Sequence, residues 1–122
     1  MNANYLWTTI TVQSIESSLP FYRDLLGLQL ERRFMPHPGL ELCFLKDENG
    51  IEIELLEHKT GSAAVTAPSN LSLGFAVKDL DAAMALCREK AIHIESGPFE
   101  GAGVKFFFVR DPNGVNIQFV QK

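Results

Sequence analysis

The chain has no cysteine pair at metal or redox spacing, no histidine pair at ligand spacing, and no apolar run near the ~20 residues that cross a bilayer. Its two cysteines, Cys43 on a strand pattern and Cys87 on a helix pattern, are expected to be free thiols in a reducing compartment. Basic stripes are also missing. The 11 Lys+Arg against 15 Asp+Glu give a net charge of −4 spread along the chain, which argues against nucleic acid and anionic membrane surfaces as partners. A small neutral or cationic ligand suits this charge better. The opening residues, Met1 to Leu6, lack a positive n-region and an apolar h-region, so a cytoplasmic location is expected. There is no low-complexity segment. At 122 residues the expectation is one domain with a core that needs no disulfide or metal.

What is present is a sequence written twice. Shifted by 65, Ile10-Thr11-Val12-Gln13-Ser14-Ile15-Glu16 falls on Phe75-Ala76-Val77-Lys78-Asp79-Leu80-Asp81, and Leu19, Tyr22 and Leu26 fall on Met84, Cys87 and Ala91. Shifted by 64, the segment from Phe44 to Glu54 falls on Phe108 to Gln118, with Asp47-Glu48-Asn49-Gly50 on Asp111-Pro112-Asn113-Gly114. A repeat this long, present only twice, implies two copies of one supersecondary unit facing each other across a cleft.

Each copy reads as βαβββ. Trp7 to Val12 is a strand pattern, followed by a helix capped at Ser14 or Ser17 and stopped by Gly27; with the cap at Ser17, Pro20 falls harmlessly in the first turn. Leu28 to Phe34, Leu40 to Lys46 and Ile51 to Glu57 are strand patterns, the last two joined by a turn signal. The pattern restarts with a strand over 70–77 and a helix capped by Asp79 that ends near Ala91. A strand near Ile92 to Glu95 carries His93. A glycine-rich loop from Gly97 to Gly103 then reads as a flap that places Phe99 at the pocket mouth or as a plain connecting loop, and strands over 105–110 and 115–120 close the chain. The division is module 1–59, linker 60–69 and module 70–122.

These paired modules, the segment FYRDLLGL from Phe21 to Leu28, and Asp111-Pro112-Asn113-Gly114 resemble the vicinal oxygen chelate superfamily, which includes glyoxalase I and the bleomycin resistance proteins. The resemblance runs from about Leu6 to Gln121. It implies an α+β fold of two βαβββ modules forming a curved mixed-sheet cleft, and a homodimer. Metal-dependent members hold one divalent ion through four positions, which fall here on Trp7, Glu54, Ser72 and Gln118. An indole offers no lone pair and a neutral hydroxyl is a poor ligand, so no cofactor is expected and a divalent metal is disfavoured.

Period-2 alternation places Trp7, Thr9, Thr11, Glu52, Glu54, Leu56, Ser72, Gly74, Ala76, Asn116, Gln118 and Val120 on the cleft side, with Ile51, Ile53, Leu55, Ile117 and Phe119 under the helices. A four-residue hairpin turn would set Cys43 beside Glu54 and Phe107 beside Gln118. The candidate ligand-binding set is therefore Trp7, Thr9, Thr11, Cys43, Glu52, Glu54, Leu56, Ser72, Phe99, Phe107, Asn116 and Gln118. Glu54 reads as a general base, as an anchor for a cationic ligand, or as an inherited carboxylate with no role. Trp7 reads as a stacking platform or as a plug in the metal position. Cys43 is read as an inert thiol.

Two functions remain open from sequence, besides a non-catalytic accessory domain whose pocket is filled by its own side chains. One is a metal-free module that binds a small, partly aromatic compound, as the resemblance to the bleomycin resistance branch implies. The other is a lyase or isomerase of glyoxalase I type using Glu54 as base, with Thr9, Thr11, Ser72 and Gln118 as hydrogen-bond donors in place of the metal.

Overall fold

The structure, a computed structural model, describes residues 1–61 and 64–122; Ser62 and Ala63 of the expected linker lie outside the described residues. The chain divides into two compact units, Met1–Val65 and Thr66–Lys122. No helix among the described residues is long and apolar enough to cross a membrane.

The first unit contains β1 (Trp7–Thr11), α1 (Ile15–Leu19), β2 (Gln29–His37), β3 (Leu40–Lys46) and β4 (Glu52–His58), and its sheet runs β1-β4-β3-β2. Strand β1 is parallel to β4 and the other pairs are antiparallel, so the sheet is mixed. Ile15, Leu19, Phe21 and Tyr22 from the helical segment and Ile10, Cys43, Leu45, Ile53 and Leu55 from the strands are buried together as this unit's core. The cap is Ser14, whose side chain accepts from the Ser17 N–H at 3.2 Å. Pro20 therefore falls beyond the first turn, where a proline would break an α-ladder. The chain answers by widening into a π-helical stretch, Pro20–Leu25, in which the Leu26 N–H reaches back five residues to the Phe21 carbonyl at 3.0 Å.

The second unit repeats the plan with β5 (Ser72–Ala76), α2 (Leu80–Glu89), β6 (Ser96–Gly101), β7 (Val104–Arg110) and β8 (Asn116–Gln121), in sheet order β5-β8-β7-β6. Asp79 caps α2 as expected, accepting from the Ala82 N–H at 3.0 Å. Leu80, Met84, Cys87, Phe107, Val109, Ile117 and Phe119 are its buried core. Residues 92–95, with His93, are not a strand; the strand begins at Ser96 and takes in much of the glycine-rich segment expected to be a flap. Pairing explains the difference, since Phe99, Glu100 and Gly101 lie opposite Phe106, Lys105 and Val104 and complete the sheet edge.

Both β-hairpins that end the units share one device. In the first, Gly50 N–H bonds the Asp47 carbonyl at 3.1 Å with Gly50 at φ +81°, while the Asp47 carboxylate accepts from the N–H of Asn49 and of Ile51 at 2.9 Å each. In the second, Gly114 has φ +91° and Asp111 accepts from Asn113 at 2.8 Å and Val115 at 2.7 Å. The left-handed glycine closes the loop in three residues, 48–50, between the last paired positions Asp47 and Ile51, one fewer than the four expected. Phe44 thus lies opposite Glu54 and Phe108 opposite Gln118, correcting the expected Cys43 and Phe107 by one position. Ile51, expected in the core, sits at the turn and is exposed.

On the helix side of the first sheet, an ion network ties α1 to three strands. Arg33 contacts Glu16 at 2.6 Å and Glu41 at 2.9 Å, and Lys59 contacts Glu41 at 3.0 Å and Glu57 at 3.1 Å. Glu57 also accepts the Ile15 N–H at 2.7 Å. Hydrogen bonds from Arg33, then from Lys59, hold the Glu41 carboxyl below the usual carboxylate range. A lowered folded value means that this stabilisation is complete above the ordinary unfolded pKa of about 4.3 and is lost as pH falls through the lower folded value. Glu41→Gln should cost about 1–2 kcal/mol at pH 7. Thermal melts should show the gap from the parent protein holding down to about pH 5 and narrowing progressively as the pH falls below about 4; a gap that does not narrow with acid would assign the loss to packing.

Candidate functional site

Side chains on alternate strand positions point away from the helices and form an open face on each sheet. On the first sheet, Trp7 pairs with Glu52 and Thr9 with Glu54 across β1 and β4, and Glu54 pairs in turn with Phe44 on β3. The Trp7 ring packs edge-on against Phe44, with centroids 5.2 Å apart, and is 39% exposed. Phe34 also stacks on Phe44, with centroids 6.4 Å apart and planes 6° apart. Together they make an aromatic patch with one covered ring at its centre, since Phe44 is only 3% exposed.

Glu54 is 8% exposed, and the Thr9 hydroxyl donates to its Oε1 at 2.5 Å. Among the described residues no cation lies within ion-pair distance of it, and its Oε2 carries no hydrogen bond. An enclosed carboxylate with one oxygen held and the other uncommitted can receive a proton or anchor a cationic group. Glu52, its neighbour two residues before, is already paired with Arg32 at 2.8 Å. Thr11 and Leu56 pair with each other further along the same face.

On the second sheet the corresponding face carries Ser72 opposite Asn116 and Gly74 opposite Gln118, with Phe108 beyond Gln118. Gly74 lies beside the glutamine amide, and a Cβ there would be in ordinary contact with Gln118 Oε1 at 3.8 Å. Phe99, Phe106 and Phe108 form a row of rings with centroid spacings of 5.5 and 5.9 Å. Asn116 Nδ2 donates to the Leu71 carbonyl at 3.3 Å.

The sequence pattern of the glyoxalase/bleomycin resistance protein/dioxygenase superfamily matches residues 4–119. The chain belongs to this superfamily. Lactoylglutathione lyase of Haemophilus influenzae is 31% identical over a 128-residue alignment covering 95% of this chain and 90% of that protein. The Neisseria meningitidis serogroup A lactoylglutathione lyase is 29% identical, covering 96% and 89%. A glyoxalase family protein from Bacillus cereus superposes with a TM-score of 0.83 at 19% identity, covering 99% of this chain and 95% of that one. That structural likeness bears on the fold alone.

The superfamily's four metal-ligand positions can be tested against the side chains present. Trp7 contributes a ring with no lone pair, Ser72 a neutral hydroxyl and Gln118 a neutral amide, and one oxygen of Glu54 is engaged by Thr9. Among the described residues no three His, Cys, Asp or Glu side chains are grouped so as to hold a metal ion. This donor set does not fit a divalent transition metal.

Corrections of register change the site's membership. Cys43 lies opposite Leu55 and Phe107 opposite Phe119, so both point into the cores and are fully buried. Burial pushes the Cys43 thiol up, away from its reactive thiolate form. Phe99 joins the second face as part of β6 rather than as a flap. The residues missed were Phe44, Phe108, Phe34, Phe106 and Arg32. Alternation counted from the corrected hairpins recovers Phe44 and Phe108, whereas Arg32 depends on a bulge that the sequence does not announce. His37 is exposed with Nδ1 against the Pro38 carbonyl at 3.1 Å, and His58 lies at the end of β4 opposite Leu40.

Proposed function

We propose that this protein binds a small, partly aromatic organic ligand on the open faces of its sheets, without a divalent metal at positions 7, 54, 72 and 118. The observation that carries this reading is Trp7, a ring at a metal-ligand position, packed on Phe44 beside the enclosed carboxylate of Glu54. Aromatic surface with a few orienting polar groups is the usual lining of a small-molecule site. Trp7 is the only tryptophan in the chain, so its emission reports on this face alone. A ligand screen read by Trp7 fluorescence, run with and without nickel or zinc, tests the proposal: metal-independent quenching supports it, and quenching that requires the metal overturns it.

Similarity to the Haemophilus influenzae lactoylglutathione lyase favours a second reading, a lyase or isomerase in which Glu54 is the base. In that case Oε1 stays hydrogen-bonded to Thr9 while Oε2 takes the substrate proton. Glu54→Gln separates the two readings. A catalytic base should lose about 10²–10⁴-fold in turnover in a lactoylglutathione lyase assay. A binding face should keep its affinity for neutral ligands and lose it only for cationic ones.

A further inference from the structure

Strand β2 does not run in register along its length. Leu30 pairs with Leu45 on the core side, but two residues later Arg32 pairs with Phe44 on the open side, because a bulge at Glu31 inserts one extra residue. Regular alternation from Leu30 would have turned Arg32 toward the core. Bulges of this kind re-aim a side chain. Here the guanidinium carbon of Arg32 stands 3.8 Å from the centre of the Phe44 ring, and Arg32 Nη1 donates to Glu52 Oε2 at 2.8 Å. The side chain therefore reaches across β3, caps the central ring of the aromatic patch, and is clipped by a carboxylate on β4.

We propose that Arg32 is a resident occupant of a site for a flat aromatic cation, of amidinium or guanidinium type, and sets both the specificity and the affinity of that site. The proposal rests on the reading of this face as a ligand-binding surface and adds the ligand's charge and shape. A planar cation stacked over Phe44 already has the arrangement that the face selects. The charge balance points the same way: Arg32 is matched by Glu52 and Lys46 by Glu31, whereas the buried Glu54 has no cation among the described residues. A ligand cation that displaces Arg32 gains the Phe44 ring, the Trp7 edge and the uncommitted oxygen of Glu54. Arg32 is well placed to leave, since its side chain is 43% exposed and returns to water. The pair with Glu52 is a partly exposed one, which costs little to break.

The test uses benzamidine, benzoate and benzyl alcohol, of similar shape and of charge +1, −1 and 0, titrated by calorimetry into the parent protein and into Arg32→Ala and Arg32→Lys, with Trp7 emission confirming the site. Removing the competitor should tighten benzamidine binding about tenfold in Arg32→Ala, because the ligand no longer has to break a cation–π interaction and a partly exposed ion pair. Arg32→Lys keeps the charge but lacks the flat group, so it should fall between the other two. Benzyl alcohol should gain less than benzamidine, and benzoate should stay weakest throughout. If benzoate binds the parent but not Arg32→Ala, the face is a ligand site but Arg32 is an anion anchor, and the inference falls while the binding reading stands. Equal benzamidine affinity in all three proteins also overturns it. If no probe perturbs Trp7 emission in any of them, the binding reading of this face fails and takes the inference with it.

Discussion

Trp7→His should raise nickel or zinc affinity about a hundredfold over the parent protein, because a complete four-ligand zinc site is worth about 10–16 kcal/mol and one ligand's share is about 3 kcal/mol. The substitution places an imidazole on β1 in the row next to Thr9 and Glu54, on the same open face as the one carboxylate at the superfamily's ligand positions. Trp7 is 39% exposed and outside the core, so the fold should survive the change, giving up only the edge-on packing of the indole against Phe44. Isothermal calorimetry measures the gain, and adding Glu54→Gln should abolish it. A Trp7→His protein that binds metal no better than its parent would show that positions 7 and 54 do not share the ligand geometry assigned to them.

Gly97→Ala should destabilise the fold by about 2–5 kcal/mol, the sum of backbone strain and overpacking. Gly97 has φ +104°, a region that side chains rarely adopt, and an added Cβ would lie 2.9 Å from Phe107 Cβ, 3.0 Å from Phe107 Cα and 3.1 Å from the Phe106 carbonyl oxygen. The neighbours are mainly backbone of the adjacent strand, which cannot yield without disturbing the pairing of β6 with β7. A loss of that size is a large share of the 5–15 kcal/mol that typically separates folded from unfolded chains. Gly101→Ala in the same strand is the control, because a Cβ there meets nothing within 4 Å. Thermal melts should separate the two variants clearly; similar melting temperatures would mean that β6 tolerates a side chain at Gly97 by shifting along β7.

The repeat made most of this architecture legible before any coordinates. Two copies of a strand, a capped helix and an Asp-x-Asn-Gly hairpin carry the same local chemistry, and Asp79, Asp47 and Asp111 all act as their positions suggest. The elements that escaped were those whose geometry depends on a single residue's backbone. Gly50 and Gly114 at positive φ close each hairpin in three residues rather than the expected four, which exchanges Cys43 for Phe44 and Phe107 for Phe108 on the open faces. Glu31 at a bulge brings Arg32 out over Phe44, and no side-chain pattern marks it. Pro20 widens a helix that the pattern drew as continuous. Trp7, Glu54, Ser72 and Gln118 were picked out by the repeat, which pairs Trp7 with Ser72 and Glu54 with Gln118, and the strand registers put each of them on the open face of its sheet.

Alternation along β1 and β4 assigns every second side chain to the core and leaves the next one outside it. Ile10, Ile53 and Leu55 hold the fold, while Trp7, Thr9, Glu52 and Glu54, interleaved with them, contribute little to hydrophobic packing under the helix. Mutation can therefore rewrite the open face with small effect on folding, and drift in one set of positions is largely uncoupled from drift in the other. Such a scaffold is readily adapted to new ligands.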